Sequence, residues 1–293
     1  MAIGSASQQR SGPPEGPGGE PLGPPATRGT GPLPGGLPAG VRPVLEDVVA
    51  GVVSALGRSV EGIVLFGSLA AGGFVPGASD LDLLVALSAG VSDAEFERLR
   101  RMHDRLIRAH PAWDDRLDVV YVSRVALRTF KERESPLVVT SAGEPLQRTR
   151  MDFGWVMNWH VAREVGIALY GPSPRELITP TSEADFLAAI RSYLPWLLAQ
   201  LEASDTPARR AYAVVTACRA LHACSTGVQA SKLEAVRWAE QRYPAWAATV
   251  RQAREAHDLR RRRATTEAPI AGALEFVRFA TEAVSGHAEK PRP

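Results

Sequence analysis

Three acidic residues at strand-like positions have the types and spacing to do chemistry. Asp80 and Asp82 sit two apart at the head of the apolar run Leu81 to Val85, and Asp118 opens another, Arg116-Leu117-Asp118-Val119-Val120-Tyr121-Val122. Side chains two apart on a strand share a face, so Asp80 and Asp82 point the same way. Two such carboxylates repel unless a cation lies between them, and Mg²⁺ takes carboxylate oxygens together with substrate phosphate. Upstream, Ile63-Val64-Leu65-Phe66 is an unbroken apolar run closed by Gly67-Ser68. Leu69-Ala70-Ala71 can start a short helix with Ser68 at its mouth, where free backbone N–H groups suit a phosphate. Gly67 lets the backbone come close to it. Gly72, Gly73, Pro76 and Gly77 then turn the chain. The set implies metal-assisted phosphoryl or nucleotidyl transfer, in which metals clamp the attacking and leaving oxygens. The plainer alternative is two surface strands with acidic ends around an ordinary glycine turn.

These residues need elements to position them. Residues 43–57 carry Leu45, Val48, Val49, Val52, Val53 and Leu56 at helical spacing, followed by strands at 63–66 and 80–87. Ser92-Asp93-Ala94-Glu95 is a capping box that opens a helix to about residue 109. A strand at 117–122, a short helix and a strand through Leu137-Val138-Val139 complete a mixed α/β unit over 41–150, with 141–150 as loop. From 151 to 288 the pattern is helical, with no convincing strand: 153–168, a helix from the Ser182 cap to about 203 with Pro195 inside, Thr206-Pro207 to Gly227, Ser231 to before Pro244, 245–262 and 267–285. The fold class is therefore α/β followed by an all-α bundle.

Residues 1–40 are about half Gly and Pro and are expected to be a disordered tail. The net charge of +2 argues against a dedicated nucleic-acid binder. The run Arg260-Arg261-Arg262-Arg263 reads as a solvated helix face, with a phosphate role as the alternative. Cys218 and Cys224 lie on different faces of one helix, so neither a mutual disulfide nor a zinc site is expected. No 18-residue apolar run is present. A reduced, cytoplasmic, monomeric protein with no membrane partner is expected.

The chain resembles the aminoglycoside (3'')(9) adenylyltransferases, the streptomycin/spectinomycin branch of the nucleotidyltransferase superfamily. The resemblance runs from about 60 to 285. It is strongest from Leu65-Phe66-Gly67-Ser68 through Leu84-Val85 and returns at Ala162-Arg163-Glu164, Ala168-Leu169-Tyr170-Gly171-Pro172, Val214-Val215-Thr216-Ala217-Cys218-Arg219, Lys232, Trp238-Ala239 and Pro244. It implies a polymerase-beta-like nucleotidyltransferase domain followed by a helical adenylyltransferase domain, with the active site in the cleft between them. It further implies ATP as co-substrate, Mg²⁺, and an aminoglycoside or aminocyclitol acceptor such as spectinomycin or streptomycin.

Carried over by motif, Asp80 and Asp82 match the metal pair, and Asp118 the third carboxylate and general base. Gly67, Ser68 and Ser79 match nucleotide contacts, Arg219 and Lys232 the cations that hold the triphosphate, and His257 a nucleotide-contacting aromatic position. There are three departures. The base is Asp118 where the family has Glu. Pro145 follows Gly143-Glu144 where a streptomycin-contacting Trp would stand. Of two acidic drug contacts, one is matched by Asp205 and the other is replaced by Arg209, which would repel a polycation.

Several positions keep two readings. Lys232 opens a helix, where a cation opposes the dipole, so it serves either a phosphate or solvent. Arg219 is either a phosphate ligand or a snorkelling edge residue. Asp205 is either an acceptor contact or a capping acid. Trp155 and Trp159, four apart, form either core or a substrate-stacking wall with Asn158 and His160. Two other functions stay open: transfer to a protein or toxin partner, and a nucleotide-binding module without a drug substrate.

Overall fold

The computed structural model describes residues 35–77, 79–141, 144–151, 154–203, 206–261 and 270–286, the side chains of 257–261 excepted. The expected tail through residue 34 lies outside them.

The first half is a six-stranded sheet. Its strands are β1 (Val60–Phe66), β2 (Leu81–Leu87), β3 (Leu117–Ser123), β4 (Pro136–Thr140), β5 (Gln147–Arg150) and β6 (Ile167–Tyr170), in the order β5-β4-β3-β2-β1-β6. β2 and β3 are parallel, and the other neighbours run antiparallel. A parallel pair needs a crossover, supplied by α3 (Asp93–Ala109) with the Ser92–Glu95 capping box at its start.

The central strands are apolar throughout because both faces are covered. Ile63, Leu65, Leu83, Val85, Val119 and Tyr121 pack beneath α1 (Val41–Leu56) and α3. Val64, Phe66, Leu84, Ala86, Val120 and Val122 form the opposite face. There they meet Ala126 and Leu127 of α4 (Arg124–Thr129), Val156 and Trp159 of α5 (Trp155–Val165) and Leu177 of α6 (Pro174–Leu177).

The second half is a bundle around α8 (Pro207–Thr226), which touches α7 (Glu183–Ala203), α9 (Lys232–Arg242), α10 (Ala247–Arg261) and α11 (Ala273–Gly286). Buried Ala211, Ala213, Ala217, Ala220 and Ala223 keep α8 slim enough for these neighbours to close in. The helix ends follow the sequence. Thr206 caps α8 with Pro207 at its first position, Gly227 ends it at φ 76°, and Ser231 and Glu234 form the box that opens α9. Both cysteines are buried and neither is in a disulfide, and burial pushes the Cys218 thiol upward. Among the described residues no helix is long and apolar enough to cross a membrane.

Two strands depart from the sequence reading. β5 falls in the stretch expected as loop; its four residues are exposed and polar, and its order comes from backbone pairing to β4 together with Arg148 bonding Val91 O and Asp93 and Arg150 bonding Glu134. β6 falls where a helix was expected to run to residue 168. α5 stops at Gly166, in extended backbone, and Ile167 to Tyr170 pair with β1. The sheet thus takes its sixth strand from beyond residue 150. The last helix begins at Ala273 after a turn at Gly272, not at 267, and residues 262–269 lie outside the description.

His103 on α3 is buried, and its Nε2 lies 2.8 Å from the Tyr121 hydroxyl. Burial lowers its pKa from 6.5 to about 4, against a small upward pull from Asp104. The unfolded chain therefore takes up this proton near pH 6.5 and the folded chain only near 4. Between these values the unfolded state binds more protons, so stability falls as the pH is lowered, by about 3 kcal/mol for this group. His103→Gln keeps a polar partner for Tyr121 and removes the titration. Urea midpoints measured from pH 7 to pH 4 should fall less for the variant than for the wild type; parallel slopes would contradict the assignment.

Candidate active site

The site is built where β1 ends. Gly67 has φ +69°, and a Cβ there would overlap the Asp82 carboxylate, standing 2.5 Å from its Cγ. Only glycine satisfies both the left-handed backbone and this approach. Gly67–Ala70 forms one helical turn, α2, with Ala71 N–H bonded to Gly67 O at 3.0 Å and Gly73 N–H to Ser68 O at 2.8 Å.

The ladder fixes the carboxylates. Asp82 pairs with Phe66 on β1 and with Asp118 on β3. Adjacent strands lie about 4.8 Å apart, so Asp82 and Asp118 are immediate neighbours. By strand alternation both share the face of Leu84 and Val120, the face that meets α5, and both are half-buried. Asp80, also half-buried, stands one residue ahead of β2.

The bundle closes the other side. A Cβ at Gly73 would lie 3.7 Å from Ser231 Cβ, so the glycine loop abuts the start of α9, where Lys232 is the first residue. Arg219, on α8, donates from Nε to Ala230 O at 3.4 Å, which ties down the segment leading into Ser231. Burial lowers its pKa, while Tyr212 and Asp82 pull it up. The Arg219 guanidinium is therefore within electrostatic reach of the Asp82 carboxylate across the cleft. The structure thus brings together Gly67, Ser68, Asp80, Asp82, Asp118, Arg219 and Lys232.

Other expected residues lie elsewhere. Ser79 is fully buried; its hydroxyl accepts Val75 N–H and its N–H donates to Val75 O, both at 2.9 Å. It shapes the loop from beneath and offers no surface to a nucleotide. Trp159 is also fully buried, donates Nε1 to Met151 Sδ at 2.9 Å and stacks on Trp155 at 5.1 Å. Trp159 is therefore a core residue and not a substrate wall, while Trp155 is half-buried at the edge of the same cluster. Asn158 is exposed. His160 lies against Phe186 at 4.6 Å, and burial lowers its pKa, against Glu164. Asp205 and the side chain of His257 lie outside the described residues. Arg209 donates to Gln200 O at 3.1 Å, so its charge caps the end of α7.

Sequence reasoning missed Arg116, whose guanidinium donates to Ser79 O beside Asp80. An arginine two residues ahead of Asp118 at a strand mouth was a usable signal for it.

Among the described residues no three His, Cys, Asp or Glu side chains gather closely enough to hold a metal on protein donors alone. The donor chemistry still fits Mg²⁺, which is commonly held by one or two carboxylates completed by water and substrate phosphate.

The family model described as nucleotidyltransferase domain matches residues 47–148, which contain the glycine loop and all three carboxylates. The chain is a nucleotidyltransferase. The model described as aminoglycoside adenylyltransferase, C-terminal domain, matches residues 176–282, the bundle that brings Arg219 and Lys232. The chain belongs to the aminoglycoside adenylyltransferase family. Its fold is shared with the crystal structure of a spectinomycin adenyltransferase from Enterococcus faecialis with ATP and spectinomycin. That match has a TM-score of 0.68 at 16% identity and covers 83% of this chain and 99% of the other. No curated protein matches the chain.

Gly67→Ala adds a side chain where Asp82 already stands, in a backbone region that disfavours it. Nucleotidyl transfer should fall by about a hundredfold, as expected for roughly ångström misplacement of a reacting group, while the melting temperature falls only modestly. Activity within tenfold of the wild type would contradict the close approach.

Proposed function

We propose that the enzyme moves AMP from Mg-ATP to a hydroxyl group of an aminocyclitol antibiotic of the spectinomycin type. The observation that carries this is the Asp82–Asp118 pair, set side by side on a strand ladder and faced by Arg219 from the bundle. Two carboxylates built next to each other suit cationic ligands, and an arginine opposite them suits the phosphates that would accompany the metal.

In this reading Asp80 and Asp82 would hold Mg²⁺, which would supply charge neutralisation for the transfer. Gly67 and Ser68 bring backbone and hydroxyl to the triphosphate from the sheet side, and Arg219 and Lys232 approach it from the bundle. Asp118 takes the proton from the acceptor hydroxyl. The acceptor oxygen bonds to the α-phosphorus as the bond to the bridging oxygen breaks, and pyrophosphate leaves. ATP and spectinomycin are supported by the relative crystallised with both. Streptomycin is disfavoured, because Arg209 replaces an acidic contact and Pro145 stands where a Trp would.

The test is pyrophosphate release with ATP and Mg²⁺ against spectinomycin, streptomycin and other aminoglycosides. Release with spectinomycin, lowered at least about a hundredfold in Asp82→Asn, is expected from the loss of a metal ligand. Release with no member of the panel, or an Asp82→Asn enzyme within tenfold of the wild type, would overturn the acceptor or the metal assignment respectively.

A further inference from the structure

Arg116 stands two residues ahead of Asp118, at the mouth of β3, and grips both neighbours of Asp80. Its side chain delivers Nε at 3.0 Å and Nη2 at 2.6 Å to one acceptor, the carbonyl oxygen of Ser79. Its own carbonyl accepts the N–H of Leu81 at 2.8 Å. Asp80 is the single residue between these tethers.

The guanidinium is itself held in place. The ring centroid of buried Trp113 lies 4.3 Å from its Cζ, and Arg116 N–H closes a turn onto Trp113 O at 3.2 Å. A planar fork of donors can place two parallel bonds on one oxygen while stacking on an aromatic face; an ammonium cannot.

Asp80 needs such a brace. The β1–β2 ladder reaches only Asp82, and the β2–β3 ladder begins at Leu81. A cavity of about 190 Å³, bordered by Phe74, Pro76, Gly77, Trp113 and Arg116, leaves this loop thinly packed on one side. Hydrogen bonds therefore do the positioning that packing does elsewhere.

We infer that Arg116 is the positioning residue of the transfer centre: it fixes the backbone on both sides of Asp80 and so aims that carboxylate at the divalent cation, without touching cation or substrate. The inference rests on the metal reading proposed above.

The experiment is equilibrium binding of Mn²⁺, standing in for Mg²⁺, read by electron paramagnetic resonance with a non-hydrolysable ATP analogue present. Wild type, Arg116→Lys, Asp80→Asn and the double variant are compared. Lysine keeps the charge and most of the stem but loses the fork. Arg116→Lys should weaken Mn²⁺ binding about tenfold or more, as loss of an outer support of a ligand does. In the Asp80→Asn background it should add less than about twofold, because both changes act on one carboxylate. Affinity within about twofold of the wild type, or an equal loss in both backgrounds, overturns the inference. A merely structural role would lower the melting temperature without this dependence on Asp80. If Arg116→Lys does not fold, Arg116→Gln takes its place in the same comparison. A wild type that binds no Mn²⁺ with nucleotide overturns the metal reading itself, whereas intact wild-type binding with an unaffected variant overturns only the role of Arg116.

Discussion

The arrangement depends on one close approach: the backbone of Gly67 lies against the Asp82 carboxylate with no room for a methyl group between them. That contact joins the end of β1 to the start of β2 and decides where the glycine loop leaves the sheet. The parallel β2–β3 register then sets Asp82 beside Asp118, two acids on one face. Such a pair is unfavourable by itself, since like charges side by side raise each other's cost of ionisation. Countercharge relieves that cost: Asp82 pulls the Arg219 pKa upward, so the two groups favour each other's charged forms, and a cationic ligand adds to this in the proposed reaction.

The helical half serves this need by geometry more than by chemistry. The small residues of α8 let neighbouring helices pack against it, so it forms the spine of the bundle. The capping box at Ser231 starts α9 beside Gly73, which puts Lys232 at the edge of the glycine loop. α5 and β6 join the halves: α5 packs under the sheet face that carries the carboxylates, and β6 pairs directly with β1. Their continuity explains how a bundle and a sheet hold a shared cleft in register.

Much of this was legible in the sequence, and for identifiable reasons. β1, β2 and β3 are buried on both faces, so they read as unbroken apolar runs. The helix starts at Ser92, Thr206 and Ser231 carry hydroxyls that accept the backbone N–H three residues on, a local pattern the sequence encodes. Asp82 and Asp118 lie on strands because each sits in an apolar run, whereas Asp80, expected on the same strand as Asp82, stands one residue ahead of β2. β6 was hidden because Ile167 to Tyr170 is an apolar run that continues the pattern of α5, and only pairing with β1 makes it a strand. β5 has exposed polar residues with no periodic signal at all. Trp159 kept both a core and a substrate-wall reading because spacing places a residue on a face but does not say what covers that face, and the resemblance that named Ser79 a nucleotide contact did not show its burial. Arg116 was missed because its work is done through backbone atoms of Ser79 and Leu81, which side-chain motifs do not encode.

The central claim is that the Asp82–Asp118 pair and Arg219 serve attack on the α-phosphorus of ATP. The most direct measurement follows the label from ATP carrying radioactive phosphorus at either the α or the γ position, with spectinomycin as acceptor and Mg²⁺ present. The account predicts that the α label moves to the acceptor and the γ label leaves in pyrophosphate. Transfer of the γ label to the acceptor would make the enzyme a kinase and contradict the account.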